Sequence, residues 1–431
     1  MRGVYRKEYW KNLKEQLIEC LRWIVAGIFV GATTGGLIYI FQLFLFLGID
    51  TISPALSHLW GVILLPPVGL FLSGLVISKT SSRIRHGLVR VFVAVHREKG
   101  IMGILSIPVE ILAYTATVAF GGSGGREGPA IMVSAAWASN LGRLPVLRGL
   151  SSRYIVIAGV AASFSALFNA PIAGAVFAAE LFFLNDIEYR AIALSGFASI
   201  SAHLVYIHLL PNALYFSVPL NIRNYNLPSK NIVVYILLGI LSGVVSSFWT
   251  RFFRTVQLSF RRWKRALYLK TALAGGILSI LYAVNHIFIG KDLHIWGLGY
   301  ETINTLFENP CEIATLVIIF LLVGKMVATA LTVGSGAAGG LVLPTFFIGA
   351  AVGALFGQLP LGIPPEIASV AGALSFFASS TNTPLAMTIF SAEAAGTSLI
   401  LPTMVASLVG HIISRNDSIF TDAKLFSRQK I

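Results

Sequence analysis

Residues 168–180 read FNAPIAGAVFAAE, and residues 381–393 read TNTPLAMTIFSAE. Asn169, Pro171, Ala173, Phe177, Ala179 and Glu180 recur as Asn382, Pro384, Ala386, Phe390, Ala392 and Glu393, each pair 213 residues apart. That offset is close to half of the 431-residue chain. Upstream, Ala158-Gly159 returns as Ala371-Gly372 and Phe164 as Phe377 at the same offset. Shared apolar composition does not produce six identities in thirteen positions, with Asn, Pro and Glu among them. The chain reads as a duplicated unit.

A second correspondence precedes each copy. The first half carries GGSGGREGP (121–129) and the second GSGAAGGLVLP (334–344), each a glycine-rich break that ends on a proline. Pro129 and Pro344 lie 215 residues apart, so two residues of slack separate the two registers. Interrupted apolar segments at matching places in two halves are the mark of a two-repeat transporter with its site at the repeat interface. Whether the halves run parallel or inverted depends on the parity of the spans, which the residues leave open.

Composition places these halves in a membrane. Hydrophobic residues make up 56% of the chain and charged residues 12%, with a mean hydropathy of +0.79. A soluble domain carries about twice that charge. Apolar blocks such as 23–47, 154–184 and 231–250 reach the roughly 20 residues that cross a ~30 Å hydrocarbon core; others, such as 366–378, are shorter. Short blocks suit tilted or broken helices buried among others. The expected architecture is all-α and integral to the membrane: a segment 1–22, a first repeat 23–210, a second repeat 211–414 and a tail 415–431.

The net charge of +14 does not point to nucleic acid, because the basic residues sit between apolar blocks. Arg2, Arg6, Lys7, Lys11, Lys14 and Arg22 precede the first block, and Arg251, Arg254, Arg261, Arg262, Lys264, Arg265 and Lys270 fill a later gap. The positive-inside rule then puts the N-terminus and 251–270 in the cytoplasm. The first block is longer than a signal-peptide core and reads as retained. Cys20 and Cys311 support no disulfide framework, and the histidines are scattered singly. No metal or other cofactor is expected.

The breaks themselves point to an anion. A glycine-rich turn that leads into a helix exposes the first N–H groups of that helix, with about half a positive charge behind them. Such a terminus binds an anion without a full cation, and two of them converging would bind modestly enough to let the ion leave. Glu127 lies inside the first break. A membrane-buried carboxylate is costly unless it is functional or paired. Either it occupies the anion's seat and leaves when protonated, or it pairs with adjacent Arg126.

GREGP (125–129) resembles the signature of the CLC family of chloride channels and proton-coupled chloride antiporters. The resemblance continues through GVAASFSALFNAPIAG (159–174), GLGYETI (297–303), KMVATALTVGSGAAGGLVLP (325–344) and the NTPLA–SAE–LILP run (382–402), and spans residues 25 to 421. It implies a homodimer with one anion pathway per subunit, two inverted halves, and Glu127 as the gate facing outward. Backbone amides of Arg126, Gly128, Leu341, Val342 and Leu343 would line the anion sites. No C-terminal regulatory domain pair is expected, and a prokaryotic inner membrane fits the short chain.

The departures from the family pattern are specific. His86 stands where the family places an anion-binding serine; an imidazole donates an N–H, and an imidazolium attracts more strongly, while simple packing or capping explains it equally. Phe420 stands at the central-site tyrosine, so that hydroxyl is gone. Val342 replaces a pore-lining phenylalanine, and Glu110 falls at a conserved lysine. Leu181 occupies the place of the internal proton-transfer glutamate, with Asp186 and Glu188 one to two turns away. Exchange and uncoupled conduction both stay open. Glu180 and Glu393 read as buried structural acids bonded to helix ends.

The function expected is transport of a small anion, chloride first and fluoride or nitrate as alternatives, with protons and membrane lipids as the other partners. A membrane-embedded hydrolase using Glu127 as base needs a second catalytic group, and the chain offers neither a catalytic serine motif nor a metal cluster.

Overall fold

Among the described residues, sixteen α-helices form two sets of eight. The first set is α1 (Arg2–Ile52), α2 (Leu59–Ser78), α3 (Leu88–His96), α4 (Ser106–Ala119), α5 (Glu127–Leu141), α6 (Ser152–Phe168), α7 (Pro171–Leu181) and α8 (Tyr189–Leu209). The second is α9 (Ile232–Arg262), α10 (Leu267–Phe288), α11 (Tyr300–Glu308), α12 (Thr315–Gly334), α13 (Val342–Gly357), α14 (Pro365–Thr381), α15 (Pro384–Ala395) and α16 (Ile400–Ser414). This computed structural model describes residues 2–80, 87–183, 187–211, 231–290, 292–415 and 417–420, with side chains from residue 12 onward. Among the described residues there is no β-strand beyond one isolated bridge.

Each helix matches the one eight places later. Thus α3 and α11 are both 9 residues long, and α6 and α14 both 17. The repeated Asn-x-Pro explains one shared break. Asn169 ends α6 at φ 57, ψ 39, and Asn382 ends α14 at φ 57, ψ 51. Asparagine tolerates this left-handed cap better than most side chains. Pro171 and Pro384 then open α7 and α15 at the position where a missing N–H costs nothing. Helix α1 runs unbroken through Arg22 and Trp23, the border drawn between the leading segment and the first repeat.

Seven of the described helices are long and apolar enough to cross a membrane, namely α1, α2, α8, α9, α10, α12 and the last, α16 with its preceding turn. They leave large apolar side chains such as Leu47, Val233, Phe248 and Ile280 exposed. Water disfavours such a surface, and lipid accepts it. The shorter α5, α6, α13 and α14 are buried along nearly their whole length. The protein is an integral membrane protein with long helices outside and short ones within. Small residues let the long helices cross closely. A Cβ on Gly239 or Gly243 of α9 would come within 2.7 Å of Ala406 or 2.8 Å of Gly410 on α16, and Gly31 and Gly35 of α1 lie in the same way on Ala198 and Ala202 of α8.

The halves are related by exchange. Phe164 meets Phe390 with ring centres 6.0 Å apart, and its repeat mate Phe377 meets Phe177 at 6.1 Å. The repeat mates Gly125 and Gly340, just before α5 and α13, pair as an antiparallel bridge, so the two halves approach each other in opposite senses. The repeat is inverted.

Candidate functional site

The two glycine-rich breaks meet. The Gly125 N–H donates to the Gly340 carbonyl at 2.8 Å, and the Gly340 N–H donates to the Gly125 carbonyl at 2.8 Å. Glycine permits this approach, because a Cβ on Gly340 would lie 2.7 Å from both the Gly125 oxygen and the Gly128 nitrogen. The first-half turn is also tied to α12, where the Ser123 N–H donates to Thr332 Oγ1 at 3.1 Å.

From this double contact α5 and α13 start. Arg126 caps α5 and Leu341 caps α13. In each helix the third residue is a proline, Pro129 or Pro344, so it brings no N–H. The amides left without an intrahelical partner are therefore those of Arg126, Glu127 and Gly128 in one helix and Leu341, Val342 and Leu343 in the other. Two positive dipole ends thus meet at the Gly125–Gly340 contact.

The Glu127 side chain folds in beside that contact and is 1% exposed. Its Oε2 and the Leu343 nitrogen lie 2.5 and 2.9 Å from the point where a Cβ on Gly125 would stand. The carboxylate thus rests at the N-terminus of the other half's helix. On its other side the Tyr300 hydroxyl donates to Oε1 at 2.9 Å. Arg126 Nε stands 3.8 Å from the same oxygen, and its guanidinium lies over the Tyr300 ring at 5.1 Å. Arg126 is thus at ion-pair range, while the direct hydrogen bond to Oε1 comes from the tyrosine. Tyr114 closes the group by donating to the Gly124 carbonyl at 3.3 Å.

A cavity opens on each side of this centre. One, of about 500 Å³, is lined by Trp296, Gly297, Leu298, Gly299, Tyr300, His294 and Glu301 among others. The other, of about 740 Å³, reaches Gly128, Gly340, Leu341, Val342 and Phe420, and carries Arg251, Arg254, Arg261 and Lys270 on its walls. Glu127 stands between them.

The remaining candidates scatter more widely. Phe420 is buried at the end of the larger cavity, its ring 5.5 Å from Phe92. His86 and Asp186 lie outside the described residues. Glu110 is buried on α4. Leu181 is buried at the end of α7, and Glu188 reaches Arg153 at 3.5 Å. Glu180 accepts the N–H groups of Leu385 and Ala386 at 3.1 and 2.9 Å, and Glu393 accepts those of Ile172 and Ala173 at 2.9 and 2.8 Å. Sequence analysis expected both to be buried. Glu180 is, but Glu393 is only half-buried, because α15 lies at the surface of the chain, where Leu385 is exposed as well.

Sequence analysis gave no role to Tyr300, Tyr114 or Lys325. In the sequence the GLGYETI run (297–303) stands only as part of a family pattern. Lys325, a lone cation inside an apolar block, carried a readable signal through its cost in a membrane.

The family profile described as voltage gated chloride channel matches residues 68–415. The chain belongs to the CLC family of voltage-gated chloride channels. Members are channels or transporters, not enzymes. An uncharacterized protein of Methanocaldococcus jannaschii is 28% identical over 358 residues, covering 83% of this chain and 87% of the relative. A chloride/fluoride channel protein of Pseudomonas syringae is 28% identical over 379 residues, covering 84% and 78%. The crystal structure of a CLC-type fluoride/proton antiporter superposes with a TM-score of 0.82 at 25% identity, covering 94% of this chain and 98% of that one. A slow cyanobacterial chloride/proton antiporter shares the fold, with a TM-score of 0.80 at 21% identity and coverage of 95% and 99%.

Proposed function

We propose that this CLC protein moves a small inorganic anion, chloride first, through the seat between the starts of α5 and α13, and that Glu127 gates it. The observation carrying this reading is the Glu127 carboxylate resting beside the Leu343 amide, on the N-terminus of the opposite half's helix. A carboxylate is an anion, so the groups that accept it are suited to a halide. While charged it fills the seat; protonation removes its attraction to the amides and lets it leave. Arg251, Arg254 and Lys270 around the larger cavity raise the local anion concentration, and the positive-inside rule makes that cavity the cytoplasmic one. The N-terminus then lies in the cytoplasm, the membrane is a prokaryotic inner membrane, and the protein is a homodimer with a pathway in each subunit.

Protons enter through Glu127. Leu181 cannot carry one further inward by the family's usual step, so the reading favours weak or absent coupling by that route. Fluoride is the second reading for the ion. The similar proteins named above include a chloride/fluoride channel and a fluoride/proton antiporter.

Purified protein in liposomes tests all of this in one assay, with chloride or fluoride efflux and internal pH followed together. Wild type should pass anions faster as pH falls, and Glu127→Gln should lose that dependence. A Glu127→Gln protein with the wild-type pH profile removes the gate; stoichiometric proton uptake against an anion gradient removes the uncoupled reading.

A further inference from the structure

We infer that the Tyr300 hydroxyl is a ligand of the anion seat that Glu127 occupies, and that Lys325 is the residue that positions it. This rests on the reading of Glu127 as the occupant of that seat when no ion is there. Groups that donate to the seated carboxylate then face the ion that replaces it. On one side these are backbone amides, the Leu343 N–H foremost. On the other side the donor is a side chain, the Tyr300 hydroxyl at 2.9 Å from Oε1. It is neutral, so it supplies a strong hydrogen bond without the grip of a full positive charge. The Arg126 guanidinium over its ring holds the ring in place.

Tyr300 does not hold this place through its own helix alone. It is the first residue of α11 and follows a turn in which Gly297 and Gly299 adopt φ of 59 and 84. That turn is pinned from behind. Lys325 on α12 is fully buried, and its Nζ donates to the carbonyls of Ile295 and Gly297 at 3.1 and 3.2 Å. The ammonium also lies 5.0 Å from the Phe347 ring of α13. A Cβ on Gly299 would come within 3.1 Å of Nζ and 3.0 Å of Phe347. Lysine, turn and α13 therefore pack as one body, and α13 is the helix whose first amides line the seat. A lysine buried on an apolar helix is expensive. Its retention here has a purpose: it fixes the distance between the hydroxyl donor and the amide donors.

The consequence is selectivity. A site built around an O–H donor penalises its own loss most for the ion that gives up the most water, fluoride before chloride. In the Glu127→Ala background, where the seat is open, fluoride and chloride are titrated calorimetrically into the purified full chain. Adding Tyr300→Phe should weaken fluoride about tenfold or more, the effect of one hydrogen bond to a charged group, and chloride less. Lys325→Met, with the tyrosine intact, should shift the fluoride-to-chloride ratio the same way, and Lys325→Arg should restore part of it. Unchanged affinities in the Tyr300→Phe protein overturn the ligand role. An equal loss for both ions in Lys325→Met overturns the positioning role. Should Tyr300→Phe fail to give monodisperse protein, the ratio in Lys325→Met decides alone. If Glu127→Ala leaves liposome flux and its pH profile as in wild type, the gate reading fails. If that variant behaves as an open gate while Tyr300→Phe changes nothing, this inference fails by itself.

Discussion

Glu180 and Glu393 cap each other's half. The first-half carboxylate receives the N–H groups that open α15, and the second-half carboxylate receives those that open α7. Four hydrogen bonds thus tie the two inverted units together. Hydrogen bonds to a charged acceptor are worth about 1.5–3 kcal/mol each when intact, and a buried donor left alone costs a similar amount. Glu180→Ala should therefore destabilise the protein by about 2–4 kcal/mol. Glu393→Ala should cost less, because water reaches its half-buried position and can replace the lost acceptor. Thermal unfolding in detergent, compared for the two single variants, checks the order. Equal losses would mean that exposure does not set the cost.

A hydroxyl returned to the larger cavity should strengthen anion binding. Phe420 is buried with its edge at that cavity and its ring against Phe92. Phe420→Tyr adds one donor and little volume. A net hydrogen bond of about 1 kcal/mol corresponds to roughly fivefold in affinity. The half-saturating chloride concentration of liposome flux should fall by about that factor. A rise would show that the new hydroxyl obstructs the path or points away from it.

Much of this layout is legible in the sequence, and for a physical reason. Duplication writes the same constraint twice, so Asn169 with Asn382 and Pro171 with Pro384 disclose the repeated unit, though not the left-handed caps that the asparagines form. The meeting of Gly125 with Gly340 was likewise foreshadowed by two glycine-rich runs at matching places. Tyr300 and Lys325 were not legible in the same way. Each acts through a contact across more than 20 residues of sequence, Tyr300 to Glu127 and Lys325 to Ile295, and neither has a like residue at its repeat mate: position 110, at the 215-residue offset from Lys325, is an acid. The exposure of Glu393 was hidden because one sequence pattern serves both a central and a peripheral helix.

Acid should loosen the mouth of the smaller cavity slightly. His294 donates to Glu301 at 3.1 Å, and this hydrogen bond holds the Glu301 carboxyl below the ordinary carboxylate range. A carboxyl lowered in the folded state contributes stability above its unfolded value, and that contribution is lost as pH falls through the folded one. Glu301 is largely exposed, so solvent screening keeps the contribution under about 1 kcal/mol. Glu301→Gln should leave stability near neutrality almost unchanged and flatten its fall in the acid range below the ordinary carboxylate value. A loss of several degrees in melting temperature at pH 7 would show a larger structural role.

Gly340→Ala is the sharpest test of the glycine contact. A methyl there meets the Gly125 oxygen and the Gly128 nitrogen at 2.7 Å and the Gly128 Cα at 3.0 Å. All three are backbone atoms, which cannot rotate away as a flexible side chain would. The strain can be relieved by parting the two breaks, which gives up both 2.8 Å hydrogen bonds between Gly125 and Gly340 and moves the start of α13 away from Glu127. Small displacements of preorganised donors have large effects, so flux should fall by at least tenfold. Overpacking of this kind costs about 1–3 kcal/mol, so the variant should still fold. Reconstituted anion flux measured beside a melting curve separates the two effects. Wild-type flux in a folded Gly340→Ala protein would show that the two breaks need not touch for the ion to pass.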